Sequence, residues 1–172
     1  MFSDPVKNLR ALGLQEDAIV ADLGAGTGFY SIAAGKMVPA GKVYAVDVQK
    51  DFLMTIKTKA REAHLANVET LWGNIEKLGG TKIADAIVDV DIASNVLFQV
   101  DDKERFIDEA KRILKPGGRL LLVDWSDSPV LAKNMLMPKE KAREIFERRG
   151  LIFDHEIDAG AHHYGMIFRK SR

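Results

Sequence analysis

The sequence predicts a doubly wound α/β fold, in which helices cover both faces of a mostly parallel sheet whose final strand is antiparallel. Three observations support this prediction. Short β-branched apolar runs alternate along the chain with segments whose apolar residues recur at helical spacing. The first apolar run ends in a glycine-rich turn. The chain closes on two apolar runs separated by a short turn, which is the pattern of a hairpin.

The first half of the chain alternates regularly. The predicted elements are, in order, a strand at 18–24, a helix at 27–38, a strand at 42–48, a helix at 51–66 and a strand at 68–72. The first strand is nearly continuously apolar, as a strand buried on both faces would be. In the second helix Phe52, Leu53, Ile56, Ala60 and Ala63 follow helical spacing.

The second half continues the pattern after an unassigned stretch at 79–86. The predicted elements are a strand at 87–94, a helix at 103–114, a strand at 119–125, a helix at 139–149, and strands at 151–157 and 163–170. Proline and glycine in the sequence KPGG at 115–118 are expected to end the third predicted helix in a turn before the next strand begins.

Composition excludes several classes of site. Lys+Arg and Asp+Glu both number 25, so the chain has no net charge that would attract nucleic acid or an anionic membrane, and nucleic acid is disfavoured as a partner. The absence of cysteine excludes disulfides, zinc–thiolate sites and a cysteine nucleophile. No run approaches the ~18 apolar residues of a membrane span, and no signal peptide is evident. We therefore expect a cytoplasmic protein.

The glycine-rich turn runs from Asp22 through Gly24, Gly26 and Gly28. A dinucleotide fingerprint counted from Gly24 would need a third glycine where Phe29 stands. A pyrophosphate requires close contact with a helix N-terminus, whereas a ligand without phosphate does not. Such a ligand needs backbone close to a ribose and an aliphatic tail, with a carboxylate near a cationic amine. The turn therefore favours a nucleoside without a pyrophosphate.

Several segments together resemble one family. They are DLGAGTG at 22–28 with Asp47 ending the second strand, DVDIASNVLFQV at 89–100, and LKPGGRLLLVDW at 114–125. In this order they resemble the class I S-adenosylmethionine-dependent methyltransferases, and among these the small-molecule group of ubiquinone/menaquinone-biosynthesis methyltransferases. The resemblance implies a Rossmann-like seven-stranded sheet in the order 3-2-1-4-5-7-6, with S-adenosylmethionine as cofactor. We expect a single domain over 1–172, with a short N-terminal segment at 1–18, a cofactor half at 19–125 and an acceptor half at 126–172.

The resemblance also assigns cofactor-binding residues. These are Asp22, Gly24, Ala25, Gly26, Gly28, Asp47, Val48, Asn74, Ile75 and Asn95. Asp22 is expected to contact the cofactor's ammonium, directly or through water, and Asp47 to accept from both ribose hydroxyls. Asn74 stands at the adenine contact, where relatives often have aspartate, and Ile75 would pack on the ring. Gly24 and Gly26 would let the backbone approach the methionine portion.

Each assignment has a purely structural alternative. The glycines also suit an ordinary tight turn. Asp47 also suits the cap of the helix near Asp51, and Asn74 suits a turn. Asn95 is expected to pass the methionine amine with its main chain, or else to cap a short helical turn. Tyr30 is expected either to close over the methionine end or to pack in the core.

The sequence shows no definite catalytic or metal site. Asp89 and Asp91 share a predicted strand face, with Asp85 nearby, but no histidine or third carboxylate is placed beside them, so no metal is predicted. His162 and His163 are adjacent on a predicted strand and should point to opposite faces. One of them is a candidate general base, with surface or packing histidines as the alternative. Tyr164 is an equally open candidate.

The acceptor is constrained mainly by exclusion. The absence of cysteine argues against pyrimidine-C5 methylation and excludes arsenite methylation by the cysteine-ligand enzymes of this fold, and SNVLFQ at 94–99 lacks the motif of adenine-N6 enzymes. We expect a small-molecule acceptor, with an acceptor site that is open or completed by a second subunit of a homodimer. The alternatives are an RNA or protein methyltransferase and a catalytically silent S-adenosylmethionine-binding partner subunit.

Overall fold

A seven-stranded sheet organises the chain in the computed structural model, which describes residues 3–172. The helices are α1 (Pro5–Leu12), α2 (Phe29–Met37), α3 (Lys50–Glu62), α4 (Lys103–Ile113) and α5 (Lys139–Arg148), with a 3₁₀ turn at Lys133–Met135. The strands are β1 (Ile19–Leu23), β2 (Lys42–Asp47), β3 (Val68–Trp72), β4 (Val88–Ser94), β5 (Leu114–Trp125), β6 (Leu151–Ile157) and β7 (His163–Lys170).

The strand order is β3-β2-β1-β4-β5-β7-β6, as the family resemblance implies. Strands β1 to β5 pair in parallel, and β7 lies antiparallel between β5 and β6. The doubly wound fold with an antiparallel final strand is therefore confirmed. Ligands bind such a sheet at its carboxyl edge, where β1, β2, β4 and β5 all end.

Two apolar cores cover the two faces of the sheet. One core joins the sheet to α4 and α5, with Phe106 and Phe146 fully buried in it. The other joins the opposite face to α1 and α2 and includes Leu9 and Tyr30. A buried aromatic or leucine side chain contributes about 1.5–3 kcal/mol, so burial on both faces stabilises the sheet.

The structure corrects three predicted boundaries. Helix α2 begins at Phe29 and not at position 27, because Gly28 has a left-handed φ of 86° that no helical residue adopts. Helix α3 ends at Glu62 and not at position 66, because His64 has a φ of 55°.

The third correction concerns the predicted turn at 115–118, which lies inside β5. Leu114 already pairs with Val88 of β4, and Lys115 forms an ion pair of 2.7 Å with Asp89. The proline and glycines form a bulge in β5, marked by a register shift between Val88 and Val90 and by a φ of 78° at Gly117. Tertiary pairing thus overrides the local turn signal.

Candidate cofactor and acceptor site

Two adjoining cavities open at the carboxyl edge of the sheet. The large cavity, of about 620 Å³, is lined by residues from β1, β4, β5, β7 and the N-terminal segment. The small cavity, of about 170 Å³, follows the end of β2. Both are lined by Gly24, Gly26, Gln49, Phe52 and Gln99. Because they share these walls, the two cavities are parts of one elongated site.

The glycine loop between β1 and α2 forms the floor of this site. Backbone N–H groups of Gly24 and Ala25 donate to the carbonyl of Val46 at 2.9 and 3.0 Å, which ties the loop to β2. A Cβ on Gly24 would lie 2.7 Å from Val96 Cγ1, so this glycine is required by packing within the protein. A Cβ on Gly26 would meet no atom of residues 3–172 within 4 Å, and Gly26 lines the cavity. Gly26 is therefore the point at which a ligand can approach the backbone.

Gly28 lines neither cavity. It starts α2, and a Cβ there would lie 2.6 Å from Ile56 of α3. The packing of α2 against α3 and the φ of 86° therefore explain why position 28 is a glycine. Ala25, another predicted cofactor-binding residue, lines the large cavity.

Asp47 ends β2 and lines the small cavity with both oxygens already engaged. Its Oδ2 accepts from the Gly26 N–H at 2.9 Å and its Oδ1 from the Gln49 N–H at 2.8 Å. The cap of α3 is Gln49 and not Asp47. Each carboxylate oxygen has two acceptor sites, so one per oxygen remains for a ligand. A pair of vicinal hydroxyls matches these two remaining sites.

Asp22 lies at the end of β1 and is 2% exposed. Its Oδ2 accepts from the Ser31 hydroxyl at 2.6 Å. Burial raises the pKa of Asp22 to about 6, against a smaller opposing effect of the hydrogen bonds from Ser31. Because it lines the large cavity, a cation bound there would restore the charged carboxylate. Asp22 is accordingly suited to an ammonium ligand.

The far end of the small cavity is formed by Val48, Asn74 and Ile75. Asn74 Oδ1 accepts from the Glu76 N–H at 2.8 Å. The side-chain oxygen therefore stabilises a turn, which is the structural alternative considered for Asn74. The residue nevertheless lines the cavity beside Ile75, in the arrangement the resemblance implies. Val48 is half exposed at the rim.

Asn95 follows β4 and has a left-handed φ of 55°. Its backbone N–H donates to Val123 and its carbonyl accepts from Gln99 Nε2, so the main chain expected to meet a ligand is occupied. Its side-chain Oδ1 is buried without a hydrogen-bond partner among the described residues, and Asn95 lines the large cavity. The side chain is therefore the group available to a ligand. The alternative, a helix cap, is not seen.

The three candidate catalytic residues lie in different parts of the structure. His163 lines the large cavity, and its ring lies 4.1 Å from that of Trp125. His162 precedes β7 in an exposed turn, where its Nδ1 lies 2.6 Å from Asp127 Oδ1, so the prediction that both histidines lie on the strand is wrong. Tyr164 points to the opposite face and packs in the core with α4 and α5, away from both cavities. Of these three residues, only His163 lines a cavity at the carboxyl edge.

Tyr30 both packs in the core and lines the large cavity. Its hydroxyl lies 2.8 Å from Asn8 Nδ2 and 3.1 Å from Ser3 Oγ, which fastens the N-terminal segment beside the cavity. That segment contains the two-turn helix α1; Met1 and Phe2 lie outside the described residues.

The sequence analysis did not identify several residues that line the large cavity. They are Thr27, Gln49, Phe52, Ser94, Gln99 and Trp125. Trp125 could have been found, because it ends β5 beside Asp124 at the edge where ligands bind. Gln99 could also have been found, because it lies four residues after Asn95, and its Nε2 donates to the Asn95 carbonyl.

The aspartates considered for a metal are dispersed. Asp85 pairs with Arg112 and Asp89 with Lys115, whereas the two Asp91 oxygens are buried without a hydrogen-bond partner among the described residues. Over residues 3–172, no three histidine or acidic side chains gather as a possible metal site. Nor does any helix in this range have the length and apolar character needed to cross a membrane.

Comparison with known proteins identifies the family to which the chain belongs. A family described as methyltransferase domain matches residues 14–169. The ubiquinone/menaquinone biosynthesis C-methyltransferase UbiE of Salmonella arizonae is 31% identical over 154 residues, covering 86% of this chain and 58% of that protein. An arsenite methyltransferase of Halobacterium salinarum is 34% identical over 106 residues, covering 61% and 26%. The chain thus spans between a quarter and three fifths of the length of these relatives.

Solved structures extend the comparison to the whole fold. A SAM dependent methyltransferase from Aquifex aeolicus superposes with a TM-score of 0.88 at 28% identity, covering 98% of this chain and 90% of the other. The [4+2]-cyclase SpnF superposes with a TM-score of 0.82 at 17% identity, covering 98% and 81%, which shows the fold alone.

The fold, the glycine loop and these matches define a class I S-adenosylmethionine-dependent methyltransferase domain. The chain belongs to this family and lies near its UbiE group. The family implies S-adenosylmethionine as the cofactor.

Proposed function

We propose that this chain binds S-adenosylmethionine along the two cavities and transfers its methyl group to a small-molecule acceptor. The observation that carries the proposal is the position of Asp47 beside Gly26. One acceptor site on each carboxylate oxygen remains free, and a Cβ added to Gly26 would meet no atom of the described residues within 4 Å. This arrangement fits a ribose whose two hydroxyls donate to Asp47.

The remaining walls fit the rest of the cofactor. Val48, Asn74 and Ile75 would hold the adenine in the small cavity. Asp22 and the unpaired Oδ1 of Asn95 would receive the ammonium in the large cavity. When bound, the cofactor supplies an electrophilic methyl group on a sulfonium, and the chain's own residues orient it and exclude water.

The large cavity leaves room for an acceptor beyond the glycine loop, towards Trp125 and His163. Where the acceptor's nucleophile carries a proton, the imidazole of His163 is the candidate to take it and to release it to solvent. The relatives named as UbiE and arsenite methyltransferases act on small molecules, which supports this acceptor class. We further propose that the protein works in the cytoplasm, with a homodimer as the candidate assembly.

The cofactor assignment is tested by Asp47→Ala, with Asp51→Ala as the control, since Asp51 is an exposed aspartate in the first turn of α3. Loss of two hydrogen bonds to a charged group predicts at least ~1.5 kcal/mol, about tenfold in affinity for S-adenosylmethionine. Asp51→Ala should bind like the unchanged protein. Equal affinity in Asp47→Ala would mean that Asp47 serves only to hold the Gly26 and Gln49 backbone.

Methyl transfer itself is tested by incubating the protein with labelled S-adenosylmethionine and a metabolite extract. The proposal predicts a labelled small molecule, whose formation Asp47→Ala reduces. Tight cofactor binding with no labelled product from any extract would instead favour the silent partner subunit. Label found in RNA or protein would favour the macromolecular alternative.

A further inference from the structure

Strand β3 lies at one edge of the sheet, and within residues 3–172 it pairs only with β2. The Gly73 N–H donates to the Asp47 carbonyl at 3.2 Å, so the odd-numbered residues of this segment turn their backbone groups towards β2. In a parallel pair, alternate residues turn theirs the other way. The N–H and C=O groups that point outward from the sheet are therefore those of Val68, Thr70 and Trp72.

An exposed tryptophan stands at the end of this edge. Trp72 is 54% exposed, and its Nε1 donates to the Val48 carbonyl at 3.0 Å, which holds the ring in place. The Nζ of Lys50, at the start of α3, lies 4.4 Å from the centroid of the ring, and the Nζ of Lys82 lies 5.2 Å from it. An exposed aromatic ring beside two cations is typical of a recognition surface.

Helix α3 carries a row of exposed residues along this edge. Lys50, Met54, Lys57 and Arg61 recur at helical spacing, and we call them the basic stripe. The other side of the helix faces α2, where Lys59 Nζ donates to a carbonyl of the glycine loop at 2.7 Å. Because Lys50 lies over the tryptophan of β3, the basic stripe runs beside the open edge and not beside α2.

The cations of the basic stripe have no carboxylate partner. Over residues 3–172 none of them forms an ion pair. Glu69 of β3 lies on the opposite face, where Lys42 pairs with it at 2.5 Å. Asp51 and Glu62 lie about 100° around α3 from the ends of the stripe. In a chain without net charge, this edge is therefore locally basic and complements an acidic partner.

The backbone and the charges together indicate the class of partner. Outward N–H and C=O groups at strand spacing match an extended polypeptide, whereas the phosphates of a nucleic acid offer acceptors only. A second copy paired antiparallel along β3 would bring two basic stripes side by side, and their like charges would repel. An acidic extended polypeptide satisfies both the backbone groups and the cations.

We propose that the open edge of β3 binds an extended acidic segment of a partner protein, which adds a further strand to the sheet. Its backbone pairs with the outward groups around Thr70. Its carboxylates occupy alternate positions, because side chains of a strand alternate between faces, and they point to the α3 side and meet the basic stripe. Neither β3 nor the basic stripe lines the two cavities, so the proposal is independent of methyl transfer.

The backbone pairing is tested with a fluorescent peptide of about six residues in which glutamate and valine alternate. Anisotropy should show saturable binding that weakens as salt is added. Thr70→Pro places a ring where the outward N–H stands and removes no bond to β2, and an edge strand tolerates proline. It should weaken the peptide at least about fivefold, whereas Thr70→Ala should stay within about twofold. Equal affinity in Thr70→Pro and Thr70→Ala overturns the proposal.

The charge complementarity is tested with a substitution that leaves β3 unchanged. Lys57→Glu reverses one charge of the basic stripe and should weaken the same peptide at least about threefold. Lys141→Glu makes the same change of net charge at an exposed lysine of α5 and should bind like the unchanged protein. Equal weakening by both variants, or tight binding of a peptide with lysine in place of glutamate, overturns the proposal.

Two further measurements identify a different occupant of the edge. Oligouridylate that binds more tightly than the acidic peptide, and that Lys57→Glu weakens, would assign the surface to nucleic acid. A dimer in sedimentation that Thr70→Pro dissociates would assign it to a second copy of the chain. Absence of binding by every probe would mean that the cations serve to keep the edge unpaired. Each of these three results contradicts the proposal.

Discussion

Substitution of Gly26 by alanine separates a ligand contact from a requirement of folding, because the chain contains a matched control. Gly26 and Gly13 have nearly equal left-handed φ values, 54° and 59°, and a Cβ on either would meet no atom within 4 Å in the part of the chain that the structure describes. Gly13 ends α1 and lines neither cavity, whereas Gly26 lines both. The left-handed conformation costs a residue with a Cβ about 1–2 kcal/mol.

Gly26→Ala and Gly13→Ala should therefore lose the same stability, about 1–2 kcal/mol, in urea unfolding. Only Gly26→Ala should also lose affinity for S-adenosylmethionine. A methyl group forced into a packed contact costs about 1–3 kcal/mol, which is about 5- to 150-fold in affinity. Gly26→Ala binding the cofactor as tightly as Gly13→Ala would refute the claim that the ligand approaches the backbone here.

Three further predictions follow from buried groups. Because the pKa of Asp22 is raised to about 6, affinity for the cationic cofactor should fall below pH 6, by up to tenfold per pH unit, and Asp22→Asn should abolish this dependence; a flat titration of the unchanged protein would contradict it. Gly28→Ala should destabilise the fold by more than Gly13→Ala in urea unfolding, because its Cβ would lie 2.6 Å from Ile56; equal losses would contradict that contact. Asp91→Val should raise the free energy of unfolding at pH 7 by roughly 1–3 kcal/mol, since both Asp91 oxygens are buried unpaired, and a less stable variant would contradict it.

The Asp91 prediction has a definite pH dependence. Burial, and then the negative charge of Glu109, raise the pKa of Asp91 well above its ordinary value, so the folded state binds its proton more tightly than the unfolded state does. Stability is therefore lost as pH rises above about 4, by up to ~1.4 kcal/mol per unit, until the folded pKa is reached. Asp91→Asn should remove this slope, and Asp101→Asn, at an exposed aspartate, should leave it in place.

The fold was predictable because each strand carries its own signal. The run at 18–24 and the runs at 151–157 and 163–170 are apolar and β-branched enough to identify strands without knowledge of their partners. The turn expected at 115–118 failed because its outcome depends on a distant strand: Leu114 pairs with Val88, and that pairing draws the glycines into β5. His64 ends α3 in a conformation that no local signal indicates for histidine.

The sequence predicted where the site residues lie better than it predicted what each of them does. Asp22 and Asp47 end parallel strands, so topology alone brings them to one edge. Which glycine meets the ligand depends on what faces each missing Cβ, and those partners come from other elements of the fold. The separation of His163 from Tyr164 likewise depends on the register of β7 against β5, where His163 pairs with Trp125.

The central claim is that this site holds a nucleoside sulfonium and not a dinucleotide. Calorimetric titration with S-adenosylmethionine, S-adenosylhomocysteine and NAD tests it most directly. The account predicts saturable binding of the first two at the glycine loop, weakened by Asp47→Ala, and much weaker binding of NAD. Tighter binding of NAD, or no binding of either S-adenosyl compound, would contradict it.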